Sequence, residues 1–142
     1  MKLRMTFITI LLGFLAVVSA VREKIQVPEA KTAIVKKISN LCAAEHNVDP
    51  ALLSRVSDGT LPRDETTNKY LHCFSIKAGI IDAVGHIVVD KLVSLLGDHP
   101  RAQEFKEALT KCNDVTKENP VETVVQMHDC YSKTSPIFLV YK

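Results

Sequence analysis

Four cysteines (Cys42, Cys73, Cys112 and Cys130) and five histidines (His46, His72, His86, His99 and His128) are the residues of this chain best suited to chemistry. Thiolates and imidazoles could together hold a zinc ion, but there is no Cys-x-x-Cys and no pair of histidines at ligand spacing. An even cysteine count reads instead as two disulfides if the chain meets an oxidising compartment. Four cysteines allow three pairings, and spacing leaves all three open. Catalytic patterns fail in turn: there is no Gly-x-Ser-x-Gly elbow, no His-Glu-x-x-His and no glycine-rich phosphate loop. The histidines read as solvated or hydrogen-bonded groups, a minority of which could switch protonation between about pH 5 and 8. No catalysis, no metal and no cofactor is expected.

An oxidising compartment is implied by the N-terminus. Met1 to Met5 is a short basic head, Thr6 to Val17 an apolar run, and Val18-Ser19-Ala20 a small-residue cleavage site. That is the layout of a secretory signal peptide over residues 1–20, and the run is well short of the ~20 apolar residues that span a bilayer. Secretion with cleavage after Ala20 leaves one domain, residues 21–142. The leader carries Lys2 and Arg4 but no acid, so 16 basic and 16 acidic side chains remain. A neutral, mixed surface gives no electrostatic case for nucleic acid or for stable membrane insertion.

The elements that must position these residues read almost entirely as helices. Pro28-Glu29 starts one that carries Ile34, Ile38, Leu41 and Cys42 to about His46. Asp49-Pro50 starts a second, with Leu52, Leu53 and Val56, that stops at Asp58-Gly59. Glu65 to Ala78 is a third, with Tyr70, Cys73 and Phe74 on one side and Gly79 as terminator. Residues 80–85 are an apolar linker or tight turn. His86 to Leu96 is apolar nearly all round and is expected to be the central helix. Arg101 to Val115 brings Phe105, Leu109 and Cys112 inward, and Asn119-Pro120 starts the last helix, with Val121, Val124, Val125 and His128 on one face. Strand-like alternation is confined to the tail, Ile137 to Tyr141. The fold class is all-α, a compact bundle of about six helices.

His128-Asp129 before Cys130 resembles the His-Asp pair of secreted phospholipases, but the glycine-rich calcium loop and the many cysteines of that family are missing. A closer resemblance covers the whole mature chain. "NKYLHCFSIKAGII" (68–81) and "NPVETVVQMHDCY" (119–131) closely resemble two signature regions of insect odorant-binding proteins, the pheromone and general odorant-binding family. "GTLPRDE" (59–65) and "GIIDAVGHI" (79–87) belong to the same likeness. That family usually has six cysteines. Matching Cys42, Cys73, Cys112 and Cys130 to its first, third, fourth and sixth puts Lys69 and Val121 at the second and fifth, so both ends of one bridge are missing together. The chain thus looks like the four-cysteine "minus-C" subgroup, which implies pairing Cys42–Cys73 and Cys112–Cys130.

The resemblance implies an apolar cavity, a secreted carrier of small hydrophobic ligands such as odorants or pheromones, a chemosensory receptor as a further partner, and a monomer or weak homodimer. Wall candidates are Leu52, Val56, Tyr70, Phe74, Ile87, Val88, Leu92, Leu109, Val125 and Phe138, with Tyr70, His86 and Tyr131 as hydrogen-bonding groups. The apolar tail would either seal the core or act as a lid, and a lid predicts that deleting residues 136–142 loosens binding. Two rivals come from other classes. A saposin-like membrane-interacting protein would have a different cysteine framework, and a helical extracellular signalling protein would have a filled core.

Overall fold

The computed structural model describes residues 22–142, so the expected leader lies outside the described residues. In chain order these form β1 (Glu23–Gln26), α1 (Glu29–His46), α2 (Leu52–Asp58), α3 (Glu65–Lys77), α4 (Val89–Val93), α5 (Ala102–Cys112), α6 (Pro120–Thr134) and β2 (Ile137–Val140). A single 3-10 turn, Ser94–Leu96, prolongs α4. The helix starts follow local chemistry. Asp64 caps α3 by accepting from the Thr67 amide at 2.8 Å, and Asn119 caps α6 by accepting from the Val121 amide at 2.8 Å ahead of Pro120 in its first turn. Each cap satisfies an amide that the helix itself leaves without a partner.

The paired helices α3 and α6 are the middle of the molecule. Tyr70 and Phe74 from α3 and Met127 from α6 are almost completely buried. One apolar cluster joins Tyr70 and Phe74 of α3 and Val124 of α6 to Ala43 and Cys42 of α1 and to Leu53 and Val56 of α2. A second gathers Leu92 and Leu96 with Phe105 and Leu109 of α5 and with Ile137 and Leu139 of the tail. Ile80 and Tyr141 pack against both clusters. Cys42–Cys73 ties α1 to α3 with the Cα atoms 5.8 Å apart, and Cys112–Cys130 ties α5 to α6 at 5.6 Å. These are the two pairs that the resemblance implies.

Three features depart from the sequence reading. The stretch 86–96 is not a central helix: only Val89–Val93 is α-helical, and Val88 is 40% exposed. Groups outside the stretch prevent it. Asp82 accepts from the amides of Val84 and His86, Ile87 bridges Ile81, and the Asn113 amide bonds both the N–H and the C=O of Ile87 at 2.9 Å. With those groups already taken, the helix starts only at Val89. Second, α5 ends at Cys112 rather than Val115. Third, the tail is a strand in parallel register with β1, Glu23 opposite Ile137 and Gln26 opposite Val140, so the all-helical body carries one small two-stranded ribbon.

Candidate functional site: two adjoining apolar chambers

An inner chamber of about 80 Å³ lies between α3 and α6. Val56 and Ser57 of α2, Leu71, Phe74 and Ser75 of α3, and Val124, Met127, His128 and Tyr131 of α6 form most of its wall. Ile80, Ile81, Ile87 and Leu92 close one side, and Leu139 and Tyr141 of the tail close another. A larger outer chamber of about 240 Å³ opens beside α1, where Val27, Lys31, Ile34, Val35 and Ile38 face Ala78, Lys91 and Leu95. Phe74, Ile80 and Tyr141 border both chambers and so form the partition between them. A dry apolar cavity of about 150 Å³ accommodates benzene. The inner chamber is smaller than that and the outer one larger.

The polar groups of the inner chamber are few and oriented. His128 Nε2 lies 2.7 Å from the Val56 carbonyl oxygen, which can only accept, so Nε2 carries the proton and Nδ1 is bare. Neither His128 Nδ1 nor Ser57 Oγ has a partner in the protein, and both residues are buried. Burial pushes the His128 imidazole below its ordinary range, outweighing the Val56 carbonyl that favours the protonated form. The Tyr131 hydroxyl donates to the Ile137 carbonyl at 3.3 Å and accepts from the Leu139 amide at 3.4 Å, which fastens α6 to the tail. Burial alone pushes the Tyr141 phenol up to about 12, so it stays neutral at physiological pH.

The neutral His128 makes stability depend on pH with a definite sign. Its folded pKa is depressed, so on acidification the unfolded chain binds a proton that the folded chain refuses. Its contribution is complete above the ordinary histidine value of about 6.5 and is lost as pH falls below that, by at most about 1.4 kcal/mol per unit. Urea denaturation at about pH 7 and about pH 5 should show this loss, and His128→Gln should flatten it. A variant as acid-sensitive as the parent would assign the effect elsewhere.

The wall candidates separate cleanly. Val56, Phe74, Ile87 and Leu92 line the inner chamber, as does Tyr131. Tyr70 is buried behind it, hydrogen-bonded to Ser39 at 2.8 Å and stacked on Phe74 with centroids 6.2 Å apart. Leu109 packs in the second core cluster, and Leu52 and Val125 pack around the first. Phe138 stands edge-on to Tyr131 beneath the Arg22 guanidinium, and Val88 points to the surface. His86 is occupied by the Thr116 hydroxyl at 2.7 Å and the Val115 carbonyl, outside both chambers. Sequence reasoning did not propose Ser57, Leu71, Ser75, Ile80, Ile81, Val124, Met127, His128, Leu139 or Tyr141 as wall residues. Ile80-Ile81 and the tail carried a signal in being apolar where a linker or terminus is usually polar. Glu45, His46 and Cys73 cluster with ligand-type atoms close together, but the Cys73 sulfur is spent in the bridge to Cys42.

Comparison with known proteins agrees with this architecture. Residues 25–134 match the model of the PBP/GOBP family. Odorant-binding protein 10 of Aedes aegypti is 28% identical over 125 residues, covering 88% of this chain and 86% of that one. The crystal structure of the medfly odorant-binding protein CcapOBP22/CcapOBP69a is 31% identical with a TM-score of 0.55, covering 72% of this chain and 88% of the other. Odorant Binding Protein 7 from Anopheles gambiae, with four disulfide bridges and in complex with an azo compound, shares the fold at a TM-score of 0.61 and 24% identity over 75% of this chain and 87% of that one. With matching fold, matching family model and two disulfides in place of a larger set, the chain belongs to the PBP/GOBP family of odorant-binding proteins as a four-cysteine member.

Proposed function

We propose that the chain is a secreted, non-catalytic carrier that takes small hydrophobic molecules from water into the paired chambers, after removal of a leader at Ala20. The observation that carries this reading is the meeting of two apolar chambers at Phe74, Ile80 and Tyr141. The azo compound held by the Anopheles relative supports it. So does the finding that no described helix is long and apolar enough to cross a membrane.

Magnitudes say how a guest must sit. Micromolar affinity corresponds to about 8 kcal/mol. At about 25 cal/mol per Å², that requires burial of more than roughly 300 Å² of apolar surface before any cost of immobilisation. A guest confined to the inner chamber is too small for this. One that spans both, displacing the Tyr141 ring, is not. Displacement of a fluorescent apolar dye from the oxidised protein by a panel of volatile and fatty compounds tests the reading. Several compounds are expected to compete, and complete indifference to all of them would end it. Tyr141→Ala removes one of the three partition side chains without touching the rest of the tail. It should speed guest release by about tenfold through lost contact area, read by stopped-flow dilution, while a cooperative melting transition persists at a lower midpoint.

A further inference from the structure

The outer chamber carries charge that an all-apolar guest would not use. Two lysines, Lys31 on α1 and Lys91 on α4, stand on its otherwise apolar wall, and no acidic residue lines it. Neither ammonium has a carboxylate within 4 Å among the described residues. Lys91 is held in position: its Nζ donates to the Ala78 carbonyl at 2.8 Å and lies across Gly79. A Cβ at residue 79 would approach that nitrogen to 2.4 Å, and the backbone there has φ +66, so glycine is required for the lysine to reach its seat. An ammonium has three donors, and one is used. Behind the two cations the apolar wall continues past Phe74 and Tyr141 into the inner chamber.

Resting on the carrier reading above, we infer that the outer chamber is a headgroup site and that the preferred guest is a single-chain carboxylate of the fatty-acid type. Its hydrocarbon tail points towards the inner chamber and its carboxylate lies between Lys31 and Lys91. The recognition is charge complementarity. A carboxylate accepts from the free donors of both lysines, whereas an ester or hydrocarbon of the same length leaves them solvated and gains only the tail. Exposed Ile34, at 61%, then becomes part of the covered wall rather than an isolated surface residue.

Calorimetric titration of the full oxidised protein with decanoate, methyl decanoate and decanol, at neutral pH and low salt, tests this. Decanoate should bind about tenfold tighter than the methyl ester, the effect of one or two part-exposed charge-assisted contacts, and added salt should erode the difference. The double variant K31Q/K91Q should lose that preference, with a retained cooperative thermal transition reporting correct folding. Lys31→Glu alone should invert the preference. Equal binding of acid and ester by the parent, or a preference that survives K31Q/K91Q, overturns the headgroup site and leaves the carrier reading standing. Failure of all three compounds to bind also overturns the headgroup site, while the carrier reading is decided by the dye-displacement panel. A concentration-dependent dimer that decanoate does not dissociate would place a second copy of the chain on this face and overturn the proposal too.

Discussion

A chain ending at Ser135 is expected not to fold. The seven residues removed include Ile137, which is fully buried, Phe138 at 7% and Leu139 at 4% exposure. Burying each such side chain contributes about 1.5–3 kcal/mol, and deletion also leaves cavities. The three together stabilise by about 5–9 kcal/mol, comparable to the whole stability of a typical domain at about 5–15 kcal/mol. Strand β1 would lose the only strand it pairs with among the described residues, and the Tyr131 hydroxyl would lose both of its tail partners. The expected result is loss of the cooperative thermal transition by circular dichroism. Removing only Tyr141 and Lys142 should leave that transition in place. If the shorter chain melted normally, the tail would be an appendage and the second core cluster would be held by α4 and α5 alone. Of the two readings offered by the apolar tail, the structure carries the sealing one: Ile137 to Leu139 are buried in the core, and Tyr141 borders both chambers.

What could be read from residues alone divides along local and non-local physics. The starts of α1 and α6 were legible because proline and asparagine act within one turn, and the observed helices begin at Glu29 and Pro120. The stretch from His86 to Leu96 was not. Its composition fits a helix, yet Asp82 and Asn113 claim the backbone of its first residues, and Asn113 lies on the far side of α5 in sequence. Strand β1 was illegible for a related reason. Glu-Lys-Ile-Gln reads as polar coil until Ile137 to Val140 returns beside it from the other end of the chain.

The site was legible as a composition but not as a shape. Val56, Phe74, Ile87 and Leu92 were reached because pockets and cores draw on the same apolar residues, and for the same reason Leu109, Tyr70 and Phe138 were reached although they pack solidly. A void is a property of how helices fail to meet, which side-chain periodicity does not encode. His128 illustrates the limit. Its place on the inner face of α6 follows from helical spacing, but its depressed basicity arises only from burial among the packed helices, and its bare Nδ1 only when α2 brings the Val56 carbonyl against its other nitrogen.

The second large effect expected is a gain. By the resemblance, Lys69 in α3 and Val121 at the start of α6 are expected at the ends of the third bridge of six-cysteine relatives, and these two helices pack together through Leu71, Phe74 and Val124. The paired substitution Lys69→Cys with Val121→Cys should form that bridge on oxidation. By the chain-entropy argument, cross-linking a loop of this length removes about 4 kcal/mol of denatured-state freedom. Half-realised, that raises the melting midpoint by about 10 °C. The losses on the other side are small: Lys69 gives up an exposed ion pair with Glu65, and Val121 is only half-buried. Mass spectrometry after alkylation reads bridge formation directly, and thermal unfolding with and without reductant reads its effect. Thiols that stay free would mean that positions 69 and 121 do not face each other, and the assignment of the four cysteines to the family framework would have to shift. If the bridge forms, α6 is pinned at the end where it meets α3, and the walls contributed by Leu71, Phe74, Val124 and Met127 lose freedom to part. The cross-linked protein should then bind a narrower range of guests than its parent, because a deformable chamber accepts shapes that a braced one excludes.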